Sequence, residues 1–471
     1  MADRGELTPL ERFLRLFTDV RAGEAGIALL MFANVFLVLC AYYFVKPLRE
    51  GWISVSDIAG FSKIEVRAYS SFLQALFLVP VVMVFGRLSE RWTRSALITR
   101  ATLFCMSNIV VFWFLQPGFF VENLPYTGIV FYLWVGMFGV FVVAQFWAFA
   151  ADVYSDGVGR RILPLIAIGA TAGGAFGSTI AGWLVDSGLV DTNMLLVASL
   201  FPLGLSIVLT RVVDATLGRA MPEEPSAEVE TAEEAAEPEP AERGKSGFSL
   251  IFSSGFLIAV AVITLLINWV NTNGENILYW VLQDVLAHDA VSRGVTEAAA
   301  LIDYTRRETT AFYAGFYGMV NWVALVLQAF VASRLLKYGG FGVLLLIMPV
   351  VALISYTTMA LVSTLFVVRM MKAAENATDY SINNTARNVL WLPVESSVVY
   401  KAKPSIDTVC ARVGDGLAAF TVLVLVNLLD LPVTTFFVLN IGLVVIWLGL
   451  SFVVISGHRA LTRESESRVP A

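Results

Sequence analysis

Apolar runs of about 20 residues recur along this chain and constrain its fold more tightly than any other feature. A bilayer's hydrocarbon core is about 30 Å thick and a helix rises about 1.5 Å per residue, so each run is long enough to cross. Inside lipid every backbone N–H and C=O must be satisfied within the segment, which makes each run a helix. Spans are placed near 25–47, 68–87, 95–116, 127–152, 161–185 and 193–213, and again near 254–284, 309–336, 341–361, 363–393, 405–429 and 433–457. The predicted fold is an all-α membrane protein of about twelve transmembrane helices in two six-helix halves. Composition agrees. The chain is 57% hydrophobic and 15% charged, where a soluble protein carries about 25% charge.

Between the two sets lies an acidic stretch, EEPSAEVETAEEAAEPEPAERGKS. It cannot bury a core and is expected to be a disordered linker. The predicted organisation is therefore a cytoplasmic amphipathic segment (1–24), an N-terminal half (25–213), the linker (214–247), a C-terminal half (248–457) and a cytoplasmic tail (458–471). In the first segment Thr8-Pro9-Leu10-Glu11 reads as a helix start, with Thr8 as N-cap, Pro9 at the first position and Glu11 closing a capping box. That segment lacks the apolar stretch and cleavage site of a signal peptide. Because so much acid sits in the linker, the net charge of −6 says little about partners. No basic domain suggests nucleic-acid binding. Cys40, Cys105 and Cys410 lie in apolar segments and read as packing residues.

Basic residues follow spans two (Arg87, Arg91, Arg94), four (Arg160, Arg161), eight (Arg334, Lys337) and ten (Lys401, Lys403). By the excess of Lys and Arg on cytoplasmic loops, both termini are cytoplasmic, and a bacterial inner membrane is expected. Lys46 and Arg49 break this pattern and are expected to be held inside the protein. Arg293, Arg306 and Arg307 also break it and are assigned to a longer loop between spans seven and eight. The loop GRLSERWTR after span two, with a second basic loop ASRLLKYGG after span eight, resembles the major-facilitator loop motif through Gly86, Leu88, Glu90, Arg91 and Arg94, which implies a major-facilitator-like fold for the two six-helix halves. Glu90, Arg91 and Arg94 are therefore candidate structural or gating charges, against the plainer reading of an ordinary basic loop.

Two local patterns mislead. Gly244-Lys245-Ser246 resembles the tail of a phosphate-binding loop, but position 239 is Glu239 and no strand precedes it. Asn376-Ala-Thr378 and Asn383-Asn-Thr385 fit a glycosylation pattern but fall inside a span. Gly173 and Gly177 in span five, with Gly169 and Ala170 a turn earlier, form a face on which two helices approach closely.

Span ten is unusually polar. On one α-helix Arg369, Lys372, Glu375, Asp379, Asn383 and Arg387 share an arc of roughly 120°. Such a stripe facing lipid would cost several kcal/mol per charge, so it faces water or protein. The run YSINNTARNVLWLPVESSVVYKAKPSIDTVCARVGDG carries Tyr380, Ser381, Arg387, Pro393, Lys401, Lys403, Ile406, Asp407, Arg412 and Gly414. In these residues it resembles the nucleotide transporter family of plastids and intracellular bacteria, the ATP/ADP translocases. FVKPLREGW in span one, with Arg49-Glu50 for a basic–acidic pair, FWAFAADVYSDGVGRRILPLIAIGA and INWVNTNGEN match further parts in order.

The resemblance implies intramembrane charges that matter for function: basic in spans one and ten, acidic in spans four and seven. Arg49 and Arg387 keep the basic positions. The acidic ones fall on Asn271 and near Val135 and Gly136, without a carboxylate. The candidate substrate-binding residues are Lys46, Arg49, Asn271, Glu275, Lys372, Asp379 and Arg387. Asp407 and Arg412 are candidate structural charges that take partners on other helices. Trp147, Tyr380 and Trp391 read as packing, with stacking on a base as the alternative.

An Arg fork holds phosphate bidentately and stays charged when buried, and phosphate carries about −1.5 to −2. The first functional reading is a secondary transporter exchanging ATP/ADP-type nucleotides by alternating access, monomeric, with no cofactor, metal or catalytic group. Glu275, Glu375, Asp379 and Asp407 could hold the basic residues in pairs when the site is empty, and in an exchanger any left unpaired would hinder the empty carrier's return. The second reading is a carrier for another organic or phosphorylated anion, proton-coupled through Glu275 or Asp379. The third is a non-transporting scaffold that docks through its acidic linker.

Overall fold

The computed structural model describes residues 9–15, 18, 20–21, 23–89, 94–116, 126–154, 156–220, 247–432 and 434–467. Among them there is helix and no strand. The helices are α1 (Pro9–Leu14), α2 (Ala25–Ile53), α3 (Lys63–Ser89), α4 (Arg94–Phe114), α5 (Thr127–Val153), α6 (Asp156–Asp186), α7 (Met194–Ala220), α8 (Gly247–Ser253) and α9 (Gly255–Ser292). They continue as α10 (Ala298–Val326), α11 (Ala332–Leu361), α12 (Leu365–Thr378), α13 (Asn384–Leu390), α14 (Ser396–Ser405), α15 (Ala411–Val422) and α16 (Thr434–Ser467).

Among the described residues nine stretches are long and apolar enough to cross a membrane. One of them, Ala298–Leu361, has 64 residues. At about 1.5 Å per residue that is about 96 Å, far more than one crossing of about 30 Å. Gly340, at φ 69° and ψ −177°, interrupts it. Glycine tolerates this backbone because it has no Cβ. With α3 and the α12–α13 pair the order is twelve crossing helices.

The chain divides into two compact units. One comprises residues 1–222 with 282–329, the other 223–281 with 330–471. In the first, α10 packs along α2 and α6. A Cβ on Gly51 of α2 would lie 2.7 Å from the Arg306 carbonyl and 2.1 Å from the Thr310 hydroxyl, so that approach needs a glycine. The glycine face of α6 meets α2 in the same way. A Cβ on Gly173 would lie 2.2 Å from the Phe36 carbonyl oxygen, and one on Gly177 2.6 Å from that of Cys40. Trp52, Phe131, Val135, Leu196 and Leu203 fill the apolar core beside it. This cluster is what places α2's polar C-terminal turns at a fixed height within the unit.

Several expectations change. The long loop expected to hold Arg306 and Arg307 is helical, because α9 runs to Ser292 and α10 starts at Ala298. Arg306 is buried and pairs with Asp303 at 2.6 Å. Thr8, most of the acidic linker and residues 468–471 lie outside the described residues. Glu11 is buried, and its carboxylate accepts the backbone N–H of Gly23 at 2.7 Å.

Among the described residues three wide π turns interrupt the helices of the second unit, at Asp379–Asn383, Ile406–Cys410 and Leu423–Leu428, and a fourth, Leu327–Val331, falls where the chain passes from one unit to the other. The Asp379–Asn383 turn falls in the middle of the predicted polar stripe. A π turn inserts an extra residue, and each residue rotates the face by about 100°. The stripe therefore does not run as one arc. Lys372 and Glu375 are fully buried, while the Arg387 side chain is 41% exposed.

Candidate functional site

The first unit holds a charged site at the C-terminal end of α2. Pro47 lies inside this helix, and a proline there removes one backbone hydrogen bond. Around it stand Lys46, Arg49 and Glu50. Arg49 donates from both Nε and Nη2 to Oε1 of Glu50, the Nε contact being 3.1 Å. Arg67 of α3 donates from Nε to Oε2 of the same carboxylate at 2.9 Å. One carboxylate thus serves two guanidiniums. The Arg49 guanidinium also lies 4.3 Å from the Tyr132 ring centroid. Lys46 Nζ sits 4.0 Å from the ring centroid of Tyr317 and 5.1 Å from that of Tyr43. Cation–π contacts of this kind are worth about 2 kcal/mol when desolvated. They add to the ion pair at Arg49 and give Lys46 aromatic neighbours in an apolar setting.

The second unit holds a site built on α9, α11, α12 and α16. Lys372 is fully buried. Its Nζ donates to Oδ1 of Asn271 at 2.6 Å, to the Asn271 carbonyl at 3.2 Å and to Glu375 at 3.0 Å. Tyr356 approaches Glu375 at 2.9 Å and the Val270 carbonyl at 3.0 Å. Gly274 makes room for this group, since a Cβ there would lie 2.2 Å from the Tyr356 hydroxyl and 2.9 Å from Lys372 Nζ. Asn376 donates to Glu275 at 2.8 Å. Asn273 donates to Asn440 at 3.0 Å. Asn271 and Asn273 are therefore hydrogen-bonded to facing helices, while Asn268 donates to the Thr264 carbonyl of its own helix at 2.8 Å. The Asn271 amide oxygen receives the Lys372 ammonium as a carboxylate would, without its charge.

Other candidates fall apart from this cluster. Arg387 donates to Asp407 at 2.9 Å, linking α13 to the wide turn before α15. Asp379 accepts from Asn383 at 2.6 Å on its own helix. Arg412 pairs with Asp415 at 2.9 Å, three residues on, rather than with another helix as expected. Asp415 in turn accepts from Thr272 of α9 at 2.8 Å. Glu90 and Arg91 lie outside the described residues. Arg94 opens α4, with its side chain outside them as well. Trp147 packs edge-on against Phe146 within the apolar core of its unit. Of the two expectations for the empty site, the structure holds pairing, with Glu375 and Asp407 among the expected partners, rather than cations left unpaired. Arg49, Lys372 and Arg387 each have a carboxylate partner; for the buried Arg49 and Lys372 the pairing offsets the several kcal/mol that a lone buried cation costs, while the Arg387–Asp407 pair is partly exposed.

Sequence reading missed Arg67, Tyr132, Tyr317 and Tyr356 as members of these sites. Arg67 had a signal, a charge near the start of an apolar span. The tyrosines had none, since aromatic residues in spans are mostly packing.

A family model described as TLC ATP/ADP transporter matches residues 117–458. The chain belongs to the ATP/ADP transporter family. The match takes in α5 through most of α16, including both sides of the Lys372 site. Solved transporters of the major-facilitator kind have the same fold. The human organic anion transporter MFSD10 is 12% identical, with 92% of this chain and 100% of that one covered and a TM-score of 0.57. The nucleoside transporter NupG is 13% identical, with 93% and 99% covered and a TM-score of 0.54. A POT family transporter solved with 5-aminolevulinic acid is 11% identical, with 95% and 99% covered and a TM-score of 0.57. No curated protein matches the sequence of this family member.

Proposed function

We propose that this ATP/ADP transporter family member moves a nucleotide, or a phosphorylated anion like it, by alternating access of its two halves. Arg49 carries the reading. It is a guanidinium in a membrane-spanning helix, its side chain is 10% exposed, and its plane lies against Tyr132. Arginine stays charged under such burial and offers phosphate two parallel N–H donors. Lys46, one turn earlier on α2, adds a second cation above Tyr317. In the other unit Lys372 and Arg387 supply the basic side chains, with Asn271, Glu275 and Asp379 as polar contacts. Glu90, Arg91, Arg94, Asp407 and Arg412 act as structural or gating charges.

The excess of Lys and Arg on alternate loops supports an orientation with both termini on the cytoplasmic side of a bacterial inner membrane, and the proposed carrier is a monomer. The acidic positions lost at Asn271 and near Val135 and Gly136 favour a second reading, a carrier for a different organic anion. Thermal-shift titration with nucleotides, sugar phosphates and carboxylates separates the two. Stabilisation by nucleotides alone supports the first, and stabilisation by carboxylates alone refutes it. Uptake of labelled ATP into proteoliposomes, with and without internal ADP, tests the transport itself. Uptake that is unchanged in Arg387→Ala removes Arg387 from the pathway.

A further inference from the structure

Within the first unit the charged site is closed from the inside outward. Glu50 is 0% exposed, Arg67 3% and Arg49 8%. Glu50 divides its two oxygens between the guanidiniums, Oε1 to Arg49 and Oε2 to Arg67. Two donors of one guanidinium on one oxyanion, with a second guanidinium behind it, is an arrangement a phosphate group would also take. Glu50 therefore occupies the donors that an incoming phosphate needs.

We propose that Glu50 is an internal counter-anion that competes with the substrate's phosphate for Arg49, and that Arg67 sets the strength of that competition by holding Glu50 back. This rests on the reading of the substrate as a phosphorylated anion. Arg49 has the most open edge of the three, so the phosphate meets it first and draws it from Glu50. Glu50 then keeps Arg67, and no buried charge is stranded in either state. When the substrate leaves, Arg49 returns to Glu50. The empty site is thus charge-compensated, which lowers the cost of reorienting the carrier without cargo. Net flux accompanies exchange as a result. Arg67, which lies behind Glu50, is a positioning residue.

The two residues have opposite predicted effects. Glu50→Gln removes the competitor, so phosphorylated ligands bind more tightly. Arg67→Gln leaves Glu50 to Arg49 alone, so they bind more weakly. Each change amounts to about tenfold in the half-saturating concentration, the scale of a close charge pair. Glu50→Gln also strands Arg49 and Arg67, which slows return of the empty carrier, so net uptake into substrate-free vesicles falls relative to exchange.

The experiment uses the full chain, purified in detergent for ligand titration by thermal shift with ATP and pyrophosphate, and in proteoliposomes for net uptake and exchange. Glu50→Asp behaves like the wild type. If Glu50→Gln is unstable, pyrophosphate raises its melting temperature more than it raises that of the wild type, and sodium chloride at equal ionic strength does not. The proposal is overturned if Glu50→Gln binds no more tightly and gains no such rescue. It is equally overturned if both variants shift affinity in the same direction. A wild type that binds neither ligand refutes the phosphorylated-anion reading itself, and this inference with it.

Discussion

Replacing Lys372 by Met separates charge from packing at the core of the second unit. Methionine keeps an unbranched stem of similar length and removes only the ammonium. In the native site that ammonium makes three hydrogen bonds, two to Asn271 and one to Glu375. Both partners of the ion pair are buried, at 0% and 1% exposure of the side chain. Removing one partner leaves the Glu375 carboxylate with the Tyr356 hydroxyl and no cation beside it. Stranding a buried charge in this way costs about 3–5 kcal/mol. At about 2 °C per kcal/mol for larger domains, the unfolding midpoint falls by about 6–10 °C. Lys372→Met/Glu375→Gln removes both charges and keeps a side chain that Tyr356 can reach, so it recovers most of the loss. The coupling between the two sites is then at least about 2 kcal/mol, in the range expected of residues in contact. Thermal unfolding followed by tryptophan fluorescence, in one detergent for the wild type, Lys372→Met, Glu375→Gln and the double variant, reads this directly. A Lys372→Met midpoint within 2 °C of the wild type, or a double variant whose loss is the plain sum of the singles, refutes the reasoning.

Three further outcomes follow from the packing and from the charges before α2. Gly173→Leu drives a side chain into the Phe36 carbonyl, which lies 2.2 Å from an added Cβ. Its cost exceeds the usual 1–3 kcal/mol of overpacking because the obstacle is backbone, and size-exclusion chromatography shows loss of the folded peak. Gly274→Ala pushes the Tyr356 hydroxyl and Lys372 apart, so it lowers the unfolding midpoint and transport together. Glu24, just outside the α2 span, pairs with Arg161 at 2.7 Å. Burial pushes its pKa up, but the Arg161 hydrogen bonds, the Arg21 backbone N–H and the two nearby cations outweigh that, and it falls below its ordinary 4.5. A depressed carboxylate pKa contributes stability that is present above the unfolded value and is lost as pH falls through the folded one. Glu24→Gln therefore flattens the melting temperature's pH dependence below about pH 4.5 and leaves the slope above it unchanged.

The spans and the glycine face of α6 were legible in the sequence because each depends on local spacing: apolar length against bilayer thickness, and small residues four apart. That spacing announces a close helix approach, and the structure supplies its partners, Phe36 against Gly173 and Cys40 against Gly177. The basic character of Arg49 and Arg387 was legible from the family's span signatures. What escaped depends on where distant helices meet. Nothing in the residues around Tyr356 announces that its hydroxyl reaches Glu375. The π turn at Asp379–Asn383 was equally hidden, since a periodicity argument assumes an unbroken 3.6-residue turn. That one insertion moved Arg387 off the Lys372 face and onto Asp407. The helical ends of α9 and α10 were also missed, because charges such as Asp289, Arg293 and Arg306 end an apolar run without ending a helix.

The central claim is that a phosphorylated nucleotide crosses the membrane on the basic residues of this chain, with Arg49 as its phosphate contact. It is tested most directly by counterflow of labelled ATP into proteoliposomes preloaded with ADP, wild type beside Arg49→Gln. The account predicts saturable uptake by the wild type, accelerated by internal ADP, and loss of most of it in Arg49→Gln at an unchanged level of folded protein. Wild-type uptake no greater than that of protein-free liposomes, or equal uptake by Arg49→Gln, contradicts it.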